Sequence, residues 1–381
     1  MNILVINYEY PPLGGGGGVA TRKLSEGWVT AGHGVTVITS SGPGLSTEEM
    51  LNGVRVIRTP VIRRSKATAS LFSMALYNPS GWFSAFQRKV TFDIVSTHFS
   101  LPSGPLGYWL ARQNRTQNVL TIYGADIYDP TRFSPKDNRF LKRLNEYLLN
   151  SASVLVAESS DIRNNAQRYY DVKQPISIIP LPYSSIDFPN IPREAMGLRS
   201  DRQYIISVGR LVKRKGYAYL IEAIARLNNP LVELLVIGDG PEMSSLWQLA
   251  QKLGVADRIH FLGYQPEIRK FQYLANADLY VLSSEHEGFG IVLQEAMQVG
   301  LPIVSTNVGG QIDFLKEGHN ALLVPPCDPS ALVQAIGRLL NDNVLCEHMR
   351  RNNRKDVSCF DVNTVCEQYL SIFRSVLNGQ Q

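Results

Sequence analysis

Short runs of β-branched and other apolar residues alternate with stretches of helical periodicity along the whole chain, and they do so in two separate series. The first series places strands at 3–6, 35–39, 54–58, 94–97, 119–122, 154–156 and 176–179. The second starts afresh with strands at 204–208, 232–237, 259–262, 279–282, 302–305 and 321–324. Strands separated by helix-length segments cannot pair as hairpins, so they must form parallel sheets with the helices as crossovers. The expected class is therefore α/β, with two Rossmann-like, doubly wound parallel-sheet domains, and ligands in such sheets bind beyond the carboxyl ends of the strands. Between the series, "LPYSSIDFPNIPREAMGLRSDRQ" is polar, proline-punctuated and without period, which reads as an interdomain linker. The expected boundaries are 1–180 for the first domain, 181–203 for the linker and 204–360 for the second domain. A last helix over 361–381 has apolar residues at helical spacing and could pack back on the first domain. A cleft between the domains is the expected site.

Composition narrows the class further. With 44% hydrophobic and 19% charged residues in 381, the chain carries enough apolar material for two cores and lacks the signature of disorder. Its four cysteines, Cys327, Cys346, Cys359 and Cys366, contain no C-x-x-C pair, so a zinc site or disulfide framework is not expected and reduced thiols in a cytoplasmic protein are. The opening "MNILVINYEYPP" has no basic n-region and reads as a first strand, not a leader.

Residues 1–180 hold 19 Lys and Arg against 12 Asp and Glu, a balance of +7 within a whole-chain charge of +5. A basic half suits an anionic partner, whether a membrane surface, a lipid diphosphate or nucleic acid. One stretch sharpens this: "RRSK" at 63–66, a long uncharged run, then "RK" at 88–89. Pro79, Gly81 and many polar residues make the run unfit to span a bilayer. The open readings are an interfacial helix flanked by basic anchors and a helix packed on the domain core.

Three glycine-rich junctions carry chemistry. "PPLGGGGGVATRKL" joins the first strand to a helix, and bare backbone N–H groups at such a junction favour an anion. It is not a dinucleotide fingerprint, because the second strand ends in "VTVITSSGPG" with no acid for a ribose, and no Gly-Lys-Ser/Thr makes it a Walker loop. Gly17 and Gly18 are the residues taken from it as anion contacts. In "YIISVGRLVKRKGYAYL" a strand ends at a glycine, Gly209, and Arg210 and Lys215 stand before the next helix, a fork and a point charge suited to a diphosphate. Lys213 and Arg214 are expected to be solvated.

The third junction, "SSEHEGFGIVLQEAMQVG", sends two carboxylates toward a glycine turn and a helix N-terminus. The helix end near Gly290 and Ile291 would face a phosphate. Glu287 and Glu295 would repel that phosphate, so they are expected to face hydroxyls, Glu295 those of a ribose and Glu287 those of a hexose.

With these stand "VIGDGP", "FLGY", "ANADLYVLSS", "EGFGIVLQEAMQVGLPIVSTNVGG" and "ALLVPP", in an order and spacing that resembles retaining glycosyltransferase family 4, of the GT-B fold. The similarity covers nearly the whole chain and is most specific in the second half. It implies that Arg210 and Lys215 hold the diphosphate of a nucleotide-sugar donor and act, with Glu287, as the catalytic set. Gly209, Gly238, Gly288, Phe289, Gly290 and Ile291 would supply backbone contacts, Glu295 the ribose contact, and Tyr264 the border of the base. On the sugar and acceptor side it implies His98, Tyr123 and Asp126. One departure stands out: relatives often carry His-Gly-x-x-Asp where this chain has "YGADIYD", so a tyrosine, a poor base at neutral pH, replaces the histidine. His33 is expected to be structural.

The resemblance thus implies a retaining hexosyltransferase using a nucleotide sugar, most commonly UDP-linked. A hydroxyl of a glycan or lipid-linked saccharide would be the acceptor, in polysaccharide assembly. No cofactor, no metal and no nucleic-acid partner are expected, and the location would be cytoplasmic or peripheral at the inner membrane face. A nucleotide-sugar epimerase or phosphorylase of the same fold, and a non-catalytic nucleotide-sugar sensor, remain open alternatives.

Overall fold

The computed structural model describes residues 1–62, 71–130 and 134–379. Among the described residues the chain forms fourteen strands and thirteen α-helices. It divides into two compact units, one made of Met1–Ser184 and the chain from Phe360 onward, the other of Ser185–Cys359.

In the first unit the elements run β1 (Asn2–Asn7), α1 (Gly16–Thr30), β2 (Gly34–Ser40), β3 (Glu48–Leu51), β4 (Val54–Thr59), α2 (Leu71–Gln87), β5 (Ile94–His98) and α3 (Gly104–Gln113). They continue with β6 (Gln117–Ile122), α4 (Gly124–Ile127), α5 (Arg139–Ser151), β7 (Val154–Ala157), α6 (Ser160–Tyr169) and β8 (Ile176–Ile178). The sheet order is β3-β4-β2-β1-β5-β6-β7-β8. All pairs are parallel except β3 with β4. The inner strands are buried on both faces, which is why they read as continuous apolar runs and not as alternation.

β3 has no counterpart in the sequence reading. Its "EEML" lacks an apolar pattern because it is a charged antiparallel edge strand, of the kind that protects a sheet margin. Glu49 pairs with the guanidinium of buried Arg58 at 2.9 Å, and Glu48 with Arg55 at 2.7 Å.

The second unit contains β9 (Gln203–Val208), α7 (Tyr217–Arg226), β10 (Val232–Ile237), α8 (Met243–Lys252), β11 (Ile259–Gly263), α9 (Glu267–Asn276) and β12 (Leu279–Leu282). After these come α10 (Ile291–Val299), β13 (Ile303–Thr306), β14 (Ala321–Val324), α11 (Pro329–Asn341) and α12 (Asn343–Asp356). The wholly parallel sheet has the order β11-β10-β9-β12-β13-β14. One largely aliphatic core, among its residues Ile205, Ile221, Leu234, Val281 and Ile336, fills the space between one face of this sheet and α7, α8, α11 and α12.

The stretch 181–203 is not a free connector. From Ser185 it belongs to the second unit, where Arg193 pairs with Asp278 at 2.8 Å and Phe188 stacks on Phe271 at 5.5 Å. The last helix, α13 (Val362–Asn378), is capped by the Asp361 side chain and belongs to the first unit. Its apolar face lays Tyr369 and Phe373 against Trp28 of α1, at ring separations of 5.8 and 5.3 Å. A Cβ on Gly27 would stand 2.5 Å from the Cys366 sulfur, so glycine is what lets α1 and α13 approach so closely. Each of these large buried side chains stabilises the unit by roughly 2–3 kcal/mol through area removed from water.

The basic cluster 63–66 lies outside the described residues. The uncharged run after it forms α2, whose inner face buries Ser73, Tyr77 and Ala85 in the core. Phe72, Trp82, Phe83 and Phe86, at helical spacing on the other face, are exposed. Among the described residues no helix is long and apolar enough to cross a membrane.

Candidate active site

Among the parallel strands of each sheet the order reverses direction once, between β9 and β12 in the second unit and between β1 and β5 in the first. Loops leaving the carboxyl ends of two such strands diverge to opposite faces and leave a crevice. The predicted donor residues that follow β9 and β12 lie at such a point, while Gly238 and Tyr264 follow β10 and β11.

β9 ends at Val208, and the chain turns through Gly209 to Arg210, whose side chain is exposed, then to a 3₁₀ turn over Lys213–Lys215. Gly216 follows with φ at 64°, and a Cβ there would meet the Ser283 carbonyl oxygen at 2.0 Å. That contact presses the basic loop against the end of β12. It is reinforced by the Glu285 N–H donating to the Arg214 carbonyl at 2.7 Å and by Arg214 Nη1 donating to the His286 carbonyl at 3.1 Å. Arg214 is thus held by the β12 loop, contrary to the expectation that it is solvated; Lys213 is exposed.

The zipped loops bring Lys215 and Glu287 together. Lys215 Nζ donates to Glu287 Oε2 at 2.6 Å, Ser284 Oγ donates to the same oxygen at 3.1 Å, and Arg214 Nη1 lies 3.6 Å from Oε1. Both Glu287 and Lys215 are buried. Burial alone would raise the Glu287 carboxyl, but the charges of Lys215 and Arg214 and the bonds from Lys215 and Ser284 outweigh it and hold the group below the usual 4.5. The backbone beneath is fixed by a paired glycine that the sequence reading left unassigned. Gly310 N–H donates to the Glu287 carbonyl at 2.8 Å, and a Cβ on Gly309 would meet that oxygen at 2.0 Å.

After Glu287 come Gly288 and Phe289, the latter buried against Phe314 at 5.1 Å, and then Gly290 in the left-handed region with φ at 95°. α10 starts at Ile291 with no side-chain cap, so its end presents backbone donors and the positive pole of the helix. Glu295, one turn in, is held by Lys270 of α9 at 2.6 Å through Oε1, while its Oε2 is buried without a hydrogen-bond partner among the described residues. No sequence signal pointed to Lys270, a lysine on a helix 25 residues away. Gly238, at the end of β10, has φ at 135°, and a Cβ there would strike the Gly209 carbonyl at 2.0 Å. Tyr264, beyond β11, is exposed and anchored through its N–H to Asp239 at 2.9 Å.

The residues expected on the acceptor side, with Gly17 and Gly18, belong to the first unit. Gly17 and Gly18 fall inside α1, where a Cβ on Gly17 would collide with the Phe99 ring at 2.5 Å, and the Gly15 N–H is taken by the Glu9 carboxylate at 3.0 Å. His98 does not face an open site: it is wholly buried at the end of β5, with Nδ1 2.8 Å from the Tyr123 hydroxyl and Nε2 3.2 Å from Ser96 Oγ. Burial pushes it down to about 3, so it stays neutral and is no base near pH 7. Burial likewise pushes the Tyr123 hydroxyl well above 10, and its ring stacks behind Phe99 at 4.3 Å. Asp126 accepts from the Ser100 N–H and hydroxyl and, at 2.8 Å, from the Tyr123 N–H. Burial raises it to about 7 against the pull of those bonds. His33, at the edge, meets the terminal amine at 3.3 Å and has a structural place.

Two protein-family models match the chain in succession, the "Glycosyl transferase 4-like domain" over residues 15–182 and "Glycosyl transferases group 1" over 190–356. The chain belongs to glycosyltransferase family 4. Among curated relatives of this transferase, the N-acetyl-alpha-D-glucosaminyl L-malate synthase of Bacillus anthracis is 28% identical over 391 aligned residues, covering 98% of this chain and 97% of that protein. Among solved structures, sucrose-phosphate synthase from Thermosynechococcus elongatus superposes with a TM-score of 0.86 at 24% identity, each chain fully covered. Anabaena HepE in complex with UDP-glucose gives 0.79 at 21%, over 98% of this chain and all of that one. These likenesses show the fold, which is GT-B, with two parallel-sheet Rossmann-like α/β domains.

Proposed function

We propose that this glycosyltransferase moves a hexose from a UDP-sugar to a hydroxyl of a glycan or lipid-linked saccharide, with retention of anomeric configuration. The observation that carries the reading is the joining of Lys215 to Glu287 beside the uncapped start of α10, at the switch point of the second sheet. A cation, a helix end and a carboxylate at one point suit a molecule with an anionic diphosphate at one end and hydroxyls at the other. The bound state of HepE, a UDP-glucose complex, supports the choice of nucleotide.

In the proposed step the acceptor oxygen bonds to the anomeric carbon on the face that the diphosphate leaves. The bond from that carbon to the phosphate oxygen breaks, and the acceptor's proton passes to the departing oxygen. Arg210, Lys215 and the α10 N-terminus stabilise the charge that grows there. Glu287 accepts from hexose hydroxyls, with Lys215 and Ser284 fixing its orientation, and the unpartnered oxygen of Glu295 accepts from the ribose. The charge balance at the leaving group uses no metal. Neither His98 nor Tyr123 moves a proton in this scheme, in keeping with their burial.

The acceptor side of the reading is a lipid-linked saccharide at an anionic membrane surface. The basic first half and the exposed aromatic face of α2 support it, since such a face with cationic neighbours suits an interface.

A thermal-shift screen of UDP, UDP-hexoses, GDP-mannose and ADP-glucose tests the donor. A ligand that binds only the folded chain raises its melting temperature with concentration. UDP and at least one UDP-hexose are expected to do so, and a flat response to every nucleotide would remove the reading.

A further inference from the structure

The switch point of the first sheet holds a cavity of about 670 Å³ that no part of the donor scheme uses. Its floor is made where β1, β5 and β6 end, by Tyr8, Glu9, Phe99 and Asp126, and its walls come from α2, α3 and α5. The walls are largely hydrocarbon, Met74, Leu101, Leu141 and Leu144 among them, with Asn78 a polar side chain on α2 and the exposed Ala75, Pro79 and Trp109 at the rim. Volume, position and lining are those of a binding cavity for an organic molecule.

Its chemistry selects the occupant. The Glu9 carboxylate at the floor disfavours a phosphate or carboxylate there, and no basic side chain is among the lining residues. A bare saccharide would leave most of its hydroxyls against apolar walls without partners, which is costly. The rim residues Ala75 and Pro79 also lie on the outer face of α2 that carries Phe72, Trp82, Phe83 and Phe86, so the apolar wall runs on as an exposed aromatic track, with Trp82 and Phe86 stacked at 5.7 Å. Arg88 and Lys89 follow at the far end of that helix.

We propose that this cavity binds the hydrocarbon chain of an amphiphilic acceptor. The Glu9 carboxylate at the floor receives hydrogen bonds from its hydroxyl-bearing end, and the chain runs out along α2. The inference rests on the transferase reading for the word acceptor, but the binding event itself needs no donor.

The test titrates the full chain, without nucleotide, with octyl and with methyl β-D-glucopyranoside below the micelle concentration. Calorimetry and the fluorescence of Trp109 are the readouts. Each methylene taken from water adds roughly fourfold to affinity. The octyl compound is expected to bind one to one at least about tenfold more tightly than the methyl compound. Ala75→Trp, which fills the rim, and Leu144→Gln, which makes a wall polar, are each expected to weaken octyl binding at least about tenfold while the UDP thermal shift is kept. Equal affinity of the two glucosides, or wild-type octyl binding by both folded variants, would overturn the proposal. A missing UDP shift with octyl binding intact would instead strike the donor reading alone.

Discussion

At the scale of the residue, the buried Lys215–Glu287 pair ties the proposed donor site to stability. Lys215→Ala leaves a buried carboxylate with only the more distant Arg214 and Ser284, and losing one partner of a buried pair costs on the order of 3–5 kcal/mol. It also removes the cation proposed for the leaving diphosphate, so transfer is expected to fall roughly 100- to 1,000-fold. The double variant Lys215→Ala/Glu287→Gln is expected to recover much of the stability and none of the transfer. Chemical denaturation and product assays on the same samples check both. Because Glu287 is held below 4.5 in the fold, the pair's contribution is present above that value and lost as pH falls through the lowered one.

Asp126 has the opposite sign. Its carboxyl is raised from 3.8 to about 7 by burial, so its protonated form favours the fold. That contribution is full below pH 3.8 and drains away as pH rises to about 7, on the order of 4 kcal/mol in all. Asp126→Asn, which cannot ionise, is expected to gain stability relative to the parent between pH 5 and pH 8. Melting temperatures of the two proteins across that range give the answer, and a constant difference would contradict it.

At the scale of the element, the candidate site is shaped by glycines that let loops touch. Gly216 is at φ 64° and leaves no room for a Cβ against the Ser283 carbonyl. Gly216→Ala is therefore expected to push the basic loop off the end of β12, with a loss of about 1–3 kcal/mol from the strained backbone and a large loss of transfer. Gly197→Ala is the control: it has a similar φ of 75° and open space around it, so it carries the strain without the collision.

Element-level reading was legible where periodicity is local. The strands of both series and the start of α10 at a glycine followed from apolar runs and turn residues. β3 did not, because an edge strand that shields a sheet is made of charged residues and carries no apolar signal. The stretch 185–203 escaped for a related reason: its prolines mark irregular backbone, and irregular backbone can be packed as firmly as a helix when Arg193 and Phe188 anchor it.

At the scale of the whole molecule, the last helix closes the first unit, with Phe373 fully buried against Trp28 and Tyr369. Phe373→Ala is expected to cost about 3–5 kcal/mol. If the protein then unfolds in two steps, the first unit melts earlier and a UDP-dependent shift persists in the later transition, which calorimetry resolves. The basic balance of residues 1–180 predicts flotation with vesicles rich in anionic lipid and not with neutral ones, an effect that fades as salt rises. Equal flotation with both would remove the electrostatic part of the membrane reading.

The sequence by itself determined the α/β class, the two series of strands, and the loops on which the candidate donor residues sit, because periodicity, glycine and turn chemistry act over a few neighbouring residues. Tertiary structure alone decided which charges meet. Lys215 reaches Glu287 across 72 residues of chain, Lys270 reaches Glu295 from another helix, and His98 and Tyr123 turn to each other inside the fold instead of facing an open site. It also decided that the first sheet's switch point encloses an apolar cavity. Such outcomes depend on strand order and on which loops cross at a sheet's carboxyl edge, and no local stretch of sequence encodes that order.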